Sequence, residues 1–570
     1  MSAPDVDRAA VAPHAVPAHA RGADTADQVP ADLPGLLGRL ARRDPDRIAA
    51  LDKGRDGTTI PVSRGELWQR TLSLAEELRT GGIGAGDCVA VWLPNWSDAL
   101  AWQFAVAARG AHVIGINTRY NVDEVTHVLD RARPRLVALA HDFHDLDLLG
   151  GLREAVARST NPPPAVAVVA GPGAPAVADP SASDVGGGAW APATPVSAPP
   201  GIGGSGLDDL VVAFTTSGST GMPKLAAHRA HGVLTHAVAD ATTIGIDEAD
   251  LVLCALPLSG VFGYNTGMAA LAAGATCVLQ PVFDADTVLD DMAHHGVTHV
   301  VGGDDLVLRL AEAWKARPRD LSAWRWLGVA DFQGRSRELA EWARDAFGTA
   351  TAGVYGSSEV FALTAFWPHD EPAPGRWTGG GRVVHDGITV RVVDPVTGEE
   401  LPPGQEGELQ FRGPNVVDAY LGDDSAATKA FIADGWFHSG DLGALVDEGV
   451  FAFVCRMGDA LRLRGFLVDP AEIERRLAEH PDVFTARVVG IPGPDGDTRA
   501  IGFVVPEEGR APEPASLRDW CAETLARFKV PDAVHLIDAM PTTSGTNGTK
   551  IRAATLREWA RQRFEDSRST

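Results

Sequence analysis

The stretch Thr215-Thr216-Ser217-Gly218-Ser219-Thr220-Gly221-Met222-Pro223-Lys224 constrains this chain more than any other part of it. It follows Leu210-Val211-Val212-Ala213-Phe214, a run short and β-branched enough to predict a buried strand. A strand that empties into hydroxyls, two glycines and a lysine is suited to wrapping an anion. Gly218 and Gly221 let backbone N–H groups turn inward, the hydroxyls add rotatable donors, and Lys224 adds a compact positive charge. The ligand this predicts is a nucleotide polyphosphate. The spacing is not that of the common P-loop, because Met222 and Pro223 separate the last glycine from the lysine. A Ser/Thr/Gly loop alone is also an ordinary turn, so the reading rests on its company.

At 570 residues the chain is too long for one core, and two or more domains are expected. A formal net charge of −25 argues against nucleic acid or an anionic membrane surface as the main partner. A phosphate-bearing ligand must therefore be held by local donors against the field of the whole protein. The cysteines Cys88, Cys254, Cys277, Cys455 and Cys521 are odd in number and scattered, which suits neither a disulfide framework nor a zinc site. Residues 1–33 read as a disordered leader without the apolar segment of a secretory signal. No apolar run approaches the ~18 residues of a membrane span. These features predict a cytoplasmic protein.

Cys88–Leu93 and His112–Gly115 read as buried strands, with a helix through Asp98–Arg109 between them. Such alternation predicts mostly parallel sheets. Residues 161–206, dense in Pro, Ala, Gly and Ser, read as a linker or surface insertion. Ile388–Phe453 is rich in strands and turns and predicts a small β-barrel. Asp469-Pro470-Ala471-Glu472 opens a helix with an acidic cap, and the character of the chain changes near Arg456–Gly465. A C-terminal domain of residues 459–570 follows from this, after an N-terminal domain of residues 34–458.

Three further segments carry chemistry. In Tyr355-Gly356-Ser357-Ser358-Glu359, a glycine beside an aromatic lets a purine lie against backbone, and the glutamate suits a hard cation. In Gly435-Trp436-Phe437-His438-Ser439-Gly440-Asp441-Leu442-Gly443, the carboxylate of Asp441 can accept from two donors at once. Near the C-terminus, Ser544-Gly545-Thr546-Asn547-Gly548-Thr549-Lys550-Ile551 places a lysine on a glycine-rich loop. With the hydroxyl loop and Arg456-Met457-Gly458-Asp459, these segments stand in the order found in the adenylate-forming superfamily, which the chain resembles over about Leu33–Arg563. Ser358 stands where that family usually has Thr, and Asn-Gly-Thr precedes Lys550 where Ser-Gly is usual.

The resemblance implies an α/β fold. Its large N-terminal domain would combine parallel sheets with helices and a small β-barrel, joined by a hinge to a small α+β domain. It implies ATP and Mg²⁺, with Thr215–Gly221 and Lys224 around the phosphates and Thr216 and Glu359 next to the reacting group and metal. Tyr355, Gly356 and Ser358 would lie at the adenine, Asp441 and Arg456 at the ribose, and Lys550 would be catalytic; Lys529 is its rival. Asp459 would be the hinge, and Gly465 would line the path of a pantetheine thiol. The implied activity is ATP-dependent activation of a carboxylic acid as an acyl-adenylate, followed by transfer to CoA. An amine, a carrier protein, or nitrite with an aryl amine stay open as alternatives, as does nucleotide binding without turnover. A homodimer also stays open.

The acid pocket is less defined. The family segment Pro-x-aromatic-His appears here as Pro257-Leu258-Ser259-Gly260, so Gly260 replaces a ring and should leave room. Gly303, Asp304 and Asp331 fall where the pocket wall is expected. Asp304 and Asp305 could instead cap a helix beginning at Leu306.

Overall fold

The computed structural model describes residues 30–174, 185–190, 206–216, 223–332, 334–369, 371–372, 375–432, 434–458, 461–463, 466–468, 470–493, 498–545 and 548–569. Ser217, Gly218, Ser219, Thr220, Gly221, Asp459 and Gly465 lie outside these residues, as do residues 1–29 of the expected leader.

One sheet has seven strands in the spatial order Ala419–Tyr420, Leu225–Arg229, Leu210–Thr215, His112–Gly115, Cys88–Trp92, Leu136–Ala140 and Ala165–Val169. From Leu210–Thr215 to Ala165–Val169 all neighbours are parallel. Cys88–Trp92 and Leu136–Ala140 are buried along their whole length, which is why they read as unbroken apolar runs. The stretch expected as linker thus contributes an edge strand, Ala165–Val169, paired with Leu136–Ala140.

The second sheet has thirteen strands. Its parallel part comprises Ile48–Lys53, Thr276–Leu279, Leu251–Cys254, His299–Gly303, Trp326–Ala330 and Ala350–Ser357. Beyond Ala350–Ser357 the order continues antiparallel through Phe361–Phe366, Gly380–Val383, Val450–Arg456, Phe437–Asp447, Glu406–Arg412 and Thr389–Val393. The segment 388–453, read as strand- and turn-rich, supplies Thr389–Val393, Glu406–Arg412, Phe437–Asp447 and most of Val450–Arg456 to this antiparallel half. The free edge of Ala350–Ser357 pairs with the next strand, so the parallel sheet grows an antiparallel half. The segments bearing Tyr355, Asp441 and Arg456 lie on and beside this junction.

Buried side chains form one large cluster from Leu33 to Phe451, and two smaller ones that begin at Leu461 and Val489. The smaller clusters belong to a C-terminal unit with a helix, Pro470–Ala478, and a sheet of Val483–Pro492, Thr498–Pro506 and Ala533–Leu536. A hairpin, Thr542–Gly545 with Gly548–Ile551, and a closing helix, Ala553–Ser569, complete it. The unit touches the larger part where Arg487 Nη2 donates to the carbonyl of Phe332 at 2.6 Å. No helix among the described residues is long and apolar enough to cross a membrane.

Candidate active site

The hydroxyl-rich loop is the connection of a hairpin. Leu225–Arg229 returns antiparallel beside Leu210–Thr215, with Thr215 opposite Leu225. Thr216 N–H donates to the carbonyl of Lys224 at 2.8 Å, and Lys224 N–H to Thr216 Oγ1 at 3.3 Å. Thr216 and Lys224 are therefore held together by one rung. Thr215 and Thr216 are buried, and the Thr215 hydroxyl bonds the Tyr120 hydroxyl. His127 Nε2 donates to the carbonyl of Pro223 at 2.6 Å. Neither Tyr120 nor His127 lies in a sequence pattern that announces this role.

Ala419–Tyr420 adds to the outer edge of the same hairpin and brings the Tyr420 ring under Lys224, whose ammonium is 5.0 Å from the ring centroid. The same segment reaches across to the second sheet: Val417 N–H donates to the carbonyl of Glu359 at 2.6 Å. Lys224 and Glu359 thus face one space. Burial raises the pKa of Glu359 above the ordinary carboxylate range, while Arg456 and Lys224 pull it down. This carboxylate is desolvated and incompletely compensated, which suits a cation.

Asp441 is 3% exposed and sits opposite Arg456 in the antiparallel ladder. Its carboxylate accepts from Arg456 Nε at 2.9 Å and from the Tyr355 hydroxyl at 2.6 Å. Gly440 adopts a φ of 68°, a turn that needs glycine, and its carbonyl accepts from Met457 N–H at 2.9 Å. Tyr355 is buried, one face lies on Phe411 at 5.6 Å and 21°, and its hydroxyl orients Asp441.

Gly356 is required by close approach, because a Cβ there would lie 2.5 Å from the Phe361 carbonyl and 2.8 Å from Leu363 N. The backbone folds back at once: Phe361 has φ 67° and Leu363 φ 62°. Left-handed backbone costs about 1–2 kcal/mol for each such side chain. A series of donors holds it there. His228 Nε2 donates to the Ser358 carbonyl at 2.7 Å, and Asn415 Nδ2 to the Val360 carbonyl at 2.5 Å. His236 Nε2 and Asn265 Nδ2 both donate to the Ala362 carbonyl, at 2.7 and 2.9 Å. Ser358 itself is buried beside the carbonyl of Thr215.

Among the expected pocket residues, Ser259 packs against Gly115, where a Cβ would come within 2.6 Å of its Cα, and Gly260 precedes the helix Val261–Ala273. Gly303 precedes the helix Asp304–Ala316, with no side-chain cap. Asp304 is therefore inside the helix rather than capping one that begins at Leu306. Its buried carboxylate accepts from Phe332 N–H at 3.2 Å and Arg335 N–H at 3.1 Å, fixing the loop after Trp326–Ala330. Asp331 is exposed and accepts from Gly334 N–H at 2.9 Å. Arg487 lies close to both acids.

Lys550 pairs with Thr543 in the C-terminal hairpin, and its strand packs against the helix Asp304–Ala316. Lys529, the rival, is engaged elsewhere: its ammonium is 2.6 Å from Glu472 Oε2.

Two changes test this geometry. Tyr355→Phe removes a hydrogen bond to a charged group, worth on the order of 1.5–3 kcal/mol. It should raise the KM for ATP about tenfold or more, read by steady-state kinetics. Because burial raises the pKa of Glu359 and protonation would neutralise it, the acid limb of a rate profile should lie above the pH of a free glutamate. Arg456→Met removes a charge that lowers this pKa, so the limb should move to higher pH in a kcat/KM profile.

Residues 37–421 match the AMP-binding enzyme family, and residues 472–546 match the AMP-binding enzyme C-terminal domain. A Mycobacterium tuberculosis protein named 3-[(3aS,4S,7aS)-7a-methyl-1,5-dioxo-octahydro-1H-inden-4-yl]propanoyl:CoA ligase is 30% identical over 533 residues, 92% of this chain and 98% of its own. Feruloyl-CoA synthase of an Amycolatopsis species is 31% identical over 508 residues, 89% of this chain and 95% of its own. The crystal structure of ATP-bound MatB from Rhodopseudomonas palustris superposes with a TM-score of 0.77 at 26% identity, covering 92% of this chain and 98% of that one. The chain belongs to the AMP-binding enzyme family, within its adenylate-forming acyl-CoA ligase branch.

Proposed function

We propose that this protein activates a carboxylic acid with ATP and passes the acyl group to the thiol of CoA. The observation that carries the reading is the convergence of Lys224, Glu359, Tyr355, Asp441 and Arg456, from separate segments, on one space. A carboxylate oxygen attacks the α-phosphorus of ATP, the bond to the β-phosphate oxygen breaks, and pyrophosphate leaves. Two anions must meet, so the protein's work is positioning and charge neutralisation rather than proton transfer.

Asp441, oriented by Tyr355 and Arg456, would accept the ribose hydroxyls. Lys224 and the hydroxyls of Thr215 and Thr216 would face the phosphates. Glu359 would hold Mg²⁺, which supplies charge neutralisation at the phosphates when bound. Lys550 would bridge the acid carboxylate and the α-phosphate, an attraction that strengthens as charge builds. In the second step the CoA sulfur attacks the acyl carbon, the bond to the phosphate oxygen breaks, AMP leaves and the thiol proton passes to solvent. Lys550 belongs to the C-terminal unit, and rotation about Asp459 would withdraw it before the thiol enters.

The test is pyrophosphate release across a panel of acids, with and without CoA, with products identified by mass spectrometry. Lys550→Ala should lower adenylate formation at least a hundredfold. The same variant should convert a supplied acyl-adenylate to thioester nearly as fast as wild type. Pyrophosphate release stimulated by an amine and indifferent to CoA would move the acceptor to an amide-forming reaction.

A further inference from the structure

A lysine on the C-terminal unit can serve the reaction only while that unit is docked, so the docking contact bears on the activity proposed above. Arg487 makes a polar contact of this kind. It lies on the strand Val483–Pro492, and its neighbour Val488 donates its N–H to Glu474 Oε1 at 2.8 Å. The second oxygen of Glu474 pairs with Arg487 Nη1. Both side chains are largely removed from water, at 17% and 11% exposed. Within its own unit Arg487 is therefore already a paired charge. Its other terminal nitrogen leaves the unit and donates to the Phe332 carbonyl at 2.6 Å.

The receiving loop is held from the opposite side. Phe332 N–H and Arg335 N–H both donate to the buried carboxylate of Asp304. Phe332 is thus fixed by its N–H to the large part and by its carbonyl to the C-terminal unit. Burial disfavours the charge of Arg487, and Glu474, Asp304 and Asp331 together outweigh that. The bridge is a charge-assisted hydrogen bond in a partly desolvated place, stronger than an ordinary surface contact.

Arg487 and Lys550 belong to one packed body. Val489 and Ile491, on the strand of Arg487, share a small core with Leu556 and Ala560 of the closing helix, and Ile551 packs against it. The strand Gly548–Ile551 packs in turn on the helix that Asp304 begins. One helix, with the loop tied to its first residue, therefore receives both Arg487 and the strand of Lys550. Opening this contact leaves Arg487 paired with Glu474. A bridge that strands no buried charge when it breaks suits a hold that must release in every cycle.

We propose that Arg487 is a positioning residue, whose bridge to Phe332 docks the C-terminal unit for adenylate formation and must break before the thioester step. Its effect on the chemistry runs through Lys550.

The test compares Glu474→Gln with the double variant Arg487→Met/Glu474→Gln, because Arg487→Met alone would strand a buried carboxylate and threaten folding. With the preferred acid, single-turnover adenylate formation should be roughly tenfold or more slower in the double variant than in Glu474→Gln. Conversion of a supplied acyl-adenylate to thioester should be as fast or faster. On a Lys550→Ala background the Arg487 change should cost less than about twofold, because the two residues act as a unit. A readout apart from turnover uses spin labels on the exposed positions Lys315→Cys and Glu508→Cys, the five native cysteines being buried. Electron–electron resonance should show one dominant distance in Glu474→Gln, and its population should fall about twofold or more in the double variant. Equal adenylation rates in the two proteins, both half-reactions slowed alike, or an unchanged distance population would each overturn the assignment. If no acid releases pyrophosphate, the activity proposed above fails, and the distances still decide the docking.

Discussion

The site depends on one stretch of backbone, from Tyr355 to Leu363, forced into a shape that its own residues resist. Gly356 permits the return of the chain, and two side chains beyond it sit at positive φ. The conformation persists because the carbonyls of Ser358, Val360 and Ala362 each meet a donor from a distant segment, and that of Glu359 meets Val417 N–H. This one fold-back places the hydroxyl that orients Asp441, the carboxylate of Glu359 and the buried Ser358 beside the carbonyl of Thr215. Buried polar networks of this kind specify one arrangement when every member is satisfied.

Electrostatics explain why the cations are few and local. With a net charge of −25 the whole protein repels a nucleotide triphosphate. Under the proposed function, attraction would come from groups whose geometry is fixed: Lys224 over Tyr420 and Arg456 paired with Asp441. Lys550 lies on the C-terminal unit, which under the proposed function would let its charge be supplied for one step and withdrawn for the next. The hold between the two units runs through Arg487 and the loop that Asp304 fixes, next to the wall expected to face the acid.

Much of this was legible in the chain. The apolar runs ending at Phe214 and Leu93 became strands, and the segments bearing Glu359, Asp441 and Lys550 were found by their residue types and order. What stayed hidden was long-range. No local pattern says that Leu225–Arg229 returns beside the first strand, or that Tyr355 turns its hydroxyl to Asp441. Asp304 does not cap a helix from Leu306, because the helix begins at Asp304 itself, and its carboxylate reaches a loop some thirty residues on. The strand-rich composition of residues 388–453 announced strands but not that they continue the sheet holding Ala350–Ser357, since composition reports strands and not their neighbours. A left-handed phenylalanine has no signature at all in sequence.

The central claim is that acid and ATP react directly at this convergence to form a mixed anhydride. It is tested most directly by supplying the preferred acid with both carboxylate oxygens labelled with ¹⁸O, together with ATP, Mg²⁺ and CoA. Mass spectrometry of the AMP should show one labelled oxygen per turnover, carried over when the thiol displaces the phosphate. Unlabelled AMP, with thioester formed and both labels accounted for elsewhere, would contradict the account.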